Sequence, residues 1–148
     1  RILIILISIL TLSSQAIAYE EANYEIVKEN KEYEIRKYSD RLVIETNSIE
    51  GNGFRKLFNY ISGNNEKNQK IPMTTPVYMK EEKQGSMMEF VLPSTLNENN
   101  ASQPLSQDVE LYMDQGGVYA SISYGGYSNK SKRNKHTSQL NKKLEMYH

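Results

Sequence analysis

From Tyr24 onward the chain alternates: YEIVK (24–28) and YEIRKY (33–38) set apolar or aromatic side chains against charged ones, and RLVIETNSI (41–49) continues with β-branched Val43, Ile44, Thr46 and Ile49. Successive side chains of a strand point to opposite faces, so these runs predict strands, most of them burying one face against something else. The pattern breaks at Gly51-Asn52-Gly53. FRKLFNYISG then places Phe54, Leu57, Phe58 and Ile61 at helical spacing before Gly63 ends the run. That is a short amphipathic helix able to cover a sheet. After the polar loop NNEKNQK come KIPMTTPVYM (70–79) and MMEFVLP (87–93), both strand candidates, and a Ser-, Asn- and Pro-rich stretch, Ser94 to Gln107, that reads as a linking loop.

KIPMTTPVYM has a peculiarity. In a strand, Ile71, Met73, Thr75, Val77 and Met79 share one face, and Pro72, Thr74, Pro76 and Tyr78 the other. Both prolines lack an N–H on the same edge, so that edge carries no full ladder. Each also drives the residue before it into an extended conformation. A stiff strand with one weakened edge can rim a cavity or close a distorted barrel, or can simply be an edge strand protected from aggregation.

The second half repeats the order of the first. VELYMD (109–114) and GGVYASISYGGY (116–127) read as two strands separated by a Gly-Gly turn, and a basic helix follows from about Asn129 to Tyr147 with Leu140, Leu144 and Tyr147 along one stripe. Laying Glu34-Ile35 over Glu110-Leu111 brings Ser39-Asp40 onto Gln115-Gly116 and Leu42 onto Val118. The halves are thus expected to be two copies of one unit. In the first copy two more strands follow the helix; in the second the sequence stops at His148. The expectation is a C-terminally incomplete second copy, short of about 30 residues by analogy with the first.

At 148 residues the chain suits one domain. Eighteen basic and eighteen acidic side chains cancel, which removes any global electrostatic attraction to nucleic acid or an anionic membrane. The absence of cysteine excludes disulfides, thiolate metal sites, iron–sulfur clusters and cysteine nucleophiles. The opening RILIILISILTLSSQAIA combines one basic residue, an apolar run from Ile2 to Leu12 and a small-residue end at Ala16-Ile17-Ala18. It is expected to be a secretory signal peptide cut after Ala18, because the run falls short of the roughly 20 apolar residues of a membrane span. The mature protein, residues 19–148, is then periplasmic or extracellular, with no stable membrane span.

The run GFRKLFNYISGNNEKNQKIPMTTPV, residues 53–77, strongly resembles the signature region of the SOUL haem-binding family. YEIVKENKEYEIRKYSDRLVIET before it and MEFVLPS after it sit where that family has similar strands, and VYASISYGGYS resembles the strand that opens its second repeat. The resemblance implies an α+β fold, a distorted β-barrel of two pseudo-repeats with one helix each packed outside the sheet. It also implies non-covalent binding of haem or another tetrapyrrole against apolar residues of the first helix. The matching positions are Phe54 and Phe58; Arg55 and Lys56, near them on the helix, are candidates to hold propionates. The plainer alternative is that Phe54, Leu57, Phe58 and Ile61 are only the buried stripe of an amphipathic helix. Where some members carry a candidate axial histidine, this chain has Lys37, a poor haem ligand while protonated. Of its two histidines, His136 reads as a boundary residue of the basic helix and His148 ends the chain; Met73 and Met79 read as core.

No hydrolase elbow, phosphate loop or metal-ligand spacing appears, and the acidic residues of the strands look like solvated positions, so nothing in the sequence asks for an enzyme. The basic helix, with Lys130, Lys132, Arg133, Lys135, Lys142 and Lys143, could attract anionic lipid or nucleic acid; a solvated face is the simpler reading. The alternative to a tetrapyrrole binder is a small-molecule sensing or protein-interaction module on the same barrel.

Overall fold

The computed structural model describes residues 19–48, 51–82 and 85–146. The expected signal peptide and the expected places of Ile49, Tyr147 and His148 lie outside these residues. In chain order the elements are β1 (Glu20–Glu21), β2 (Tyr24–Glu29), β3 (Glu34–Tyr38), β4 (Arg41–Asn47), α1 (Gly53–Ile61), β5 (Thr74–Thr75), β6 (Tyr78–Glu82), β7 (Gly85–Val91), β8 (Val109–Asp114), β9 (Gly117–Ser121) and α2 (Lys130–Glu145). The fold is α+β. Its strands form a four-stranded antiparallel sheet in the order β6-β7-β4-β8, a three-stranded antiparallel sheet in the order β2-β3-β9, and a short parallel pair of β1 with β5. Among the described residues no ladder closes these sheets into a barrel.

The two larger sheets are joined by a bent ribbon. The segments 34–47 and 109–121 run antiparallel, β3 against β9 and β4 against β8. From Glu34↔Ser121 through Tyr38↔Gly117 and Arg41↔Asp114 to Thr46↔Val109, the paired residue numbers keep a constant sum, so no residue is gained or lost at the corner. The Gly-Gly turn expected to fold β9 back on β8 is therefore a corner instead, at which the chain leaves one sheet for the other. Gly116 is required there: a Cβ at this position would stand 2.1 Å from the Tyr38 carbonyl oxygen. Asp40 across the corner accepts the Gly116 N–H at 3.0 Å.

One face of the four-stranded sheet is apolar, as the alternation of β4 and β7 dictates, and α1 lies on it. Leu42 and Ile44 of β4, Phe90 of β7 and Leu57, Tyr60 and Ile61 of α1 form the centre of the core. Each such side chain contributes about 1.5–3 kcal/mol on burial. Tyr60 supplies the end of the core that the helical stripe did not predict: its hydroxyl donates to the Ser102 carbonyl at 2.6 Å, and burial pushes its pKa up to about 12.

That bond explains why the polar stretch 94–107 is not a loose linker. Ala101 and Ser102 are buried, the Ser102 hydroxyl accepts the Lys67 N–H and Gln69 accepts the Ser102 N–H. Asn65, also buried, donates to the Tyr60 and Gln69 carbonyls and accepts the Gln69 N–H, tying the loop after α1 into the same network. A Tyr60→Phe variant is expected to lose about 1.5 kcal/mol, since it leaves the Ser102 carbonyl without this donor in a buried site. Chemical denaturation compared with wild type checks it, and proteolysis should cut first within 94–107.

KIPMTTPVYM is not one strand. Thr74-Thr75 pairs with β1, the Thr75–Pro76 peptide bond is cis, and a second piece, β6, starts at Tyr78. Thr74 rather than Thr75 is buried, its hydroxyl bonded to the Val91 carbonyl. The helix α2 also differs from expectation. It is capped by the Asn129 side chain, which accepts the Lys132 N–H, but it buries no residue. It meets the rest of the molecule through the ion pairs Arg133–Glu81 and Lys143–Glu32 and through His136, whose ring stacks on Tyr124. None of the helices among the described residues is long and apolar enough to cross a membrane.

Candidate functional site

The helix α1 divides its apolar residues between two faces. Gly53, Leu57, Tyr60 and Ile61 are buried against the sheet, whereas Phe54 and Phe58 are each 45 % exposed. Their i, i+4 spacing sets the two rings side by side, with centroids 5.9 Å apart and planes inclined by 13°. Phe54 in turn meets Phe90, a core residue of β7, edge to face at 5.3 Å. The pair is thus an apolar shelf, fixed from below by the core and open above. Leu57 and Ile61, expected on the same stripe, belong to the core alone.

The two candidate cations differ in situation. Arg55 is exposed and makes no ion pair among the described residues. Lys56 is half-buried and pairs with Asp108 at 3.1 Å, but Asp108 itself is largely exposed, so the contact is worth about 0–1 kcal/mol and can be exchanged.

No axial ligand is offered at the shelf by the residues singled out in the sequence. Lys37 is an exposed residue of β3 opposite Val118, in the other sheet. His136 lies on α2, with its ring stacked on Tyr124 at 4.2 Å. His148 is outside the described residues. Met73 packs against the core, as expected, while Met79 of β6 is exposed instead. Among the described residues no group of His, Asp and Glu is arranged to hold a metal ion. The side chains here, two open apolar rings with Arg55 and Lys56 next to them in the helix, fit a planar apolar group in face contact.

A second constellation went unread in the sequence, because it is made of strand carboxylates taken for solvated ones. On the sheet face opposite α1, Glu45 of β4 stands directly across from Glu89 of β7. Glu89 is only 1 % exposed. Lys80 of β6 forms an ion pair with it and lies 3.7 Å from Glu45, and the Tyr112 hydroxyl donates to Glu89 at 2.6 Å. Burial pushes the Glu45 carboxyl up, and the neighbouring Glu89 pushes the same way. Burial also pushes Glu89 up, but bonds from Lys80 and Tyr112 outweigh it and hold its carboxyl below the usual range. Burial and the Glu89 contact both push the Tyr112 hydroxyl up, so it is a donor at neutral pH.

Beside this network, Arg41 pairs with Asp114 at 2.9 Å and is flanked by the rings of Tyr38 and Tyr78 at 5.0 and 4.7 Å. Tyr38 continues a row of rings across the three-stranded sheet, 5.2 Å from Tyr24 and 5.8 Å from Tyr119. Only the register of β4 against β7 puts Glu45 opposite Glu89, and no local sequence pattern carries that register.

No curated protein matches the chain. Residues 19–148 match the family model described as SOUL heme-binding protein, and the chain belongs to that family.

Proposed function

We propose that the protein binds haem or another tetrapyrrole non-covalently, with the macrocycle lying on Phe54 and Phe58 and its propionates met by Arg55 and Lys56. The observation that carries this reading is the shelf itself: two large aromatic side chains left open on a helix whose remaining apolar residues are all in the core. Covering two half-exposed phenylalanines is favourable by about 25 cal/mol per Å² of apolar surface removed from water. Membership of the family supports the ligand class. On the same reading residues 1–18 are a secretory signal, and the protein works in the periplasm or outside the cell.

The finer view of the fold, a distorted barrel of two repeats, belongs to this proposal as well. What supports it is the ribbon: the overlay of Glu34-Ile35 on Glu110-Leu111 would put a pseudo-twofold axis at Ser39-Asp40 and Gln115-Gly116, where the ribbon bends. On that symmetry β9 corresponds to β4, and a strand equivalent to β7 would run along the outer edge of β9, which has no strand partner among the described residues.

Titration with hemin tests the binding. A saturable shift of the Soret band at low micromolar concentration is expected, weakened at least tenfold by Phe58→Glu, which puts a charge where the macrocycle lies. Equal binding by Phe58→Glu and wild type, or absorption that rises without saturating, overturns the assignment.

A further inference from the structure

Where the two larger sheets meet, on the side of the four-stranded sheet away from α1, there is a cavity of about 250 Å³ lined by Tyr38, Arg41, Tyr78, Glu89 and Tyr119, among others. It is separate from the phenylalanine shelf. Glu89 points to one face of β7 and Phe90, which supports the shelf, to the other. Its volume lies below the roughly 300–1,000 Å³ of pockets that take drug-sized ligands, so it accommodates a molecule of one ring and is too small for a tetrapyrrole.

The charges lining the cavity, Arg41 and Lys80 against Glu89 and Asp114, balance, but Glu45 beside Glu89 adds a further carboxylate. Arg41 and Asp114 neutralise one another. Glu45 and Glu89, directly opposite on neighbouring strands, share the single cation Lys80. Like charges in that position repel, and the geometry leaves Glu45 with the longer contact to Lys80 and only a 3.3 Å approach from the Tyr112 hydroxyl. With Glu45, which stands beside Glu89 outside the cavity lining, two cations therefore meet three carboxylates next to a wall of tyrosine rings. Lys80 is 46 % exposed, so it can shift toward one carboxylate and leave room beside the other. Tyrosine faces attract cations through the ring quadrupole, as the placing of Arg41 between Tyr38 and Tyr78 already illustrates.

We propose that this cavity is a second ligand site, taking a small aromatic molecule with one positive charge, whose cation pairs with the Glu45–Glu89 couple and whose ring lies against Tyr78 and Tyr119. With such a ligand bound each carboxylate has a cation of its own. The site is independent of the tetrapyrrole shelf and does not rest on it.

The test uses 4-aminobenzamidine, whose fluorescence rises on leaving water, against the neutral 4-aminobenzamide and the anionic 4-aminobenzoate. The amidine is expected to saturate below millimolar concentration and to bind at least tenfold more tightly than either analogue. Glu45→Gln, which keeps the side-chain shape, is expected to weaken it about tenfold. Tyr119→Ala, a change at a half-exposed ring, is expected to weaken it several-fold whether or not the Glu45 variant folds. Phe58→Glu is expected to leave it unchanged. Equal binding of the three probes, or no saturation by the amidine, overturns the proposal, as does an amidine affinity unmoved by Tyr119→Ala.

Discussion

Replacing Lys80 by Met is expected to cost about 3–5 kcal/mol at pH 7, because it leaves the buried Glu89 and its neighbour Glu45 facing each other without a cation. Against a total stability of about 5–15 kcal/mol this is a large share, equivalent to a fall of roughly 10–20 °C in melting temperature. The loss should depend on pH in a definite sense. Without Lys80, burial and the neighbouring Glu89 still hold the Glu45 carboxyl above its unfolded value, and Glu89 loses the strongest bond that holds it down. Stability linked to a raised carboxyl is fully present below the unfolded value of about 4.3 and is lost as pH rises through the folded one. The deficit of the variant should therefore narrow as pH is lowered from 7 toward 5. In the wild type the two carboxyls oppose each other: the raised Glu45 favours acid, while the lowered Glu89 contributes stability that disappears as the protein is acidified. Melting curves of both proteins across this range are the measurement. A deficit that stays constant with pH would show that Lys80 acts by packing alone. Adding Glu89→Gln to Lys80→Met should recover much of the loss, since the unpaired buried charge goes with it.

Gly116→Ala is expected to destabilise by about 3 kcal/mol or more. Its new methyl group would meet the Tyr38 carbonyl oxygen at 2.1 Å and the Ser39 carbonyl carbon at 2.7 Å, both backbone atoms. Neither chain can step aside cheaply, since ladders in one register flank the corner on both sides. Gly125→Ala makes the comparison, because a Cβ there meets nothing within 4 Å. It should change stability by no more than about 0.5 kcal/mol. Equal effects of the two substitutions in urea titrations would mean that chain stiffness, and not the close approach at the corner, sets the cost.

How far the sequence discloses this molecule depends on whether a feature is local. The strands β2, β3, β4, β7, β8 and β9 and the helix α1 follow from alternation and helical spacing, although β2 keeps its alternation with every residue exposed. KIPMTTPVYM misleads: its alternation predicts one strand, whereas the chain divides it between a pair with β1 and a separate β6. Composition misleads at 94–107, where polar residues are held by bonds to distant groups such as Tyr60. The shelf is half legible. Spacing places Phe54, Leu57, Phe58 and Ile61 together, but which of them the sheet covers depends on the angle at which α1 lies. The Glu45–Glu89 couple is not legible at all, since a carboxylate on a strand is solvated or buried according to which residue another strand sets opposite it.

The ribbon also bears on how the chain reaches this state. Arg41 and Asp114, which pair across it, are 73 residues apart. Until β8 has been synthesised, β4 has a neighbour on one side only, although its Leu42 and Ile44 belong to the centre of the core. One of the three ladders of the central sheet, β4 against β8, and the pairing of β3 with β9 therefore wait on closing one long loop, whose entropy must be lost before any hydrogen bond of the ribbon repays it. Such a topology folds slowly for its size, and its nascent first half exposes an apolar strand edge to other chains. The same pairing that ties β3 and β4 to β8 and β9 leaves the first half unable to finish folding before the second arrives.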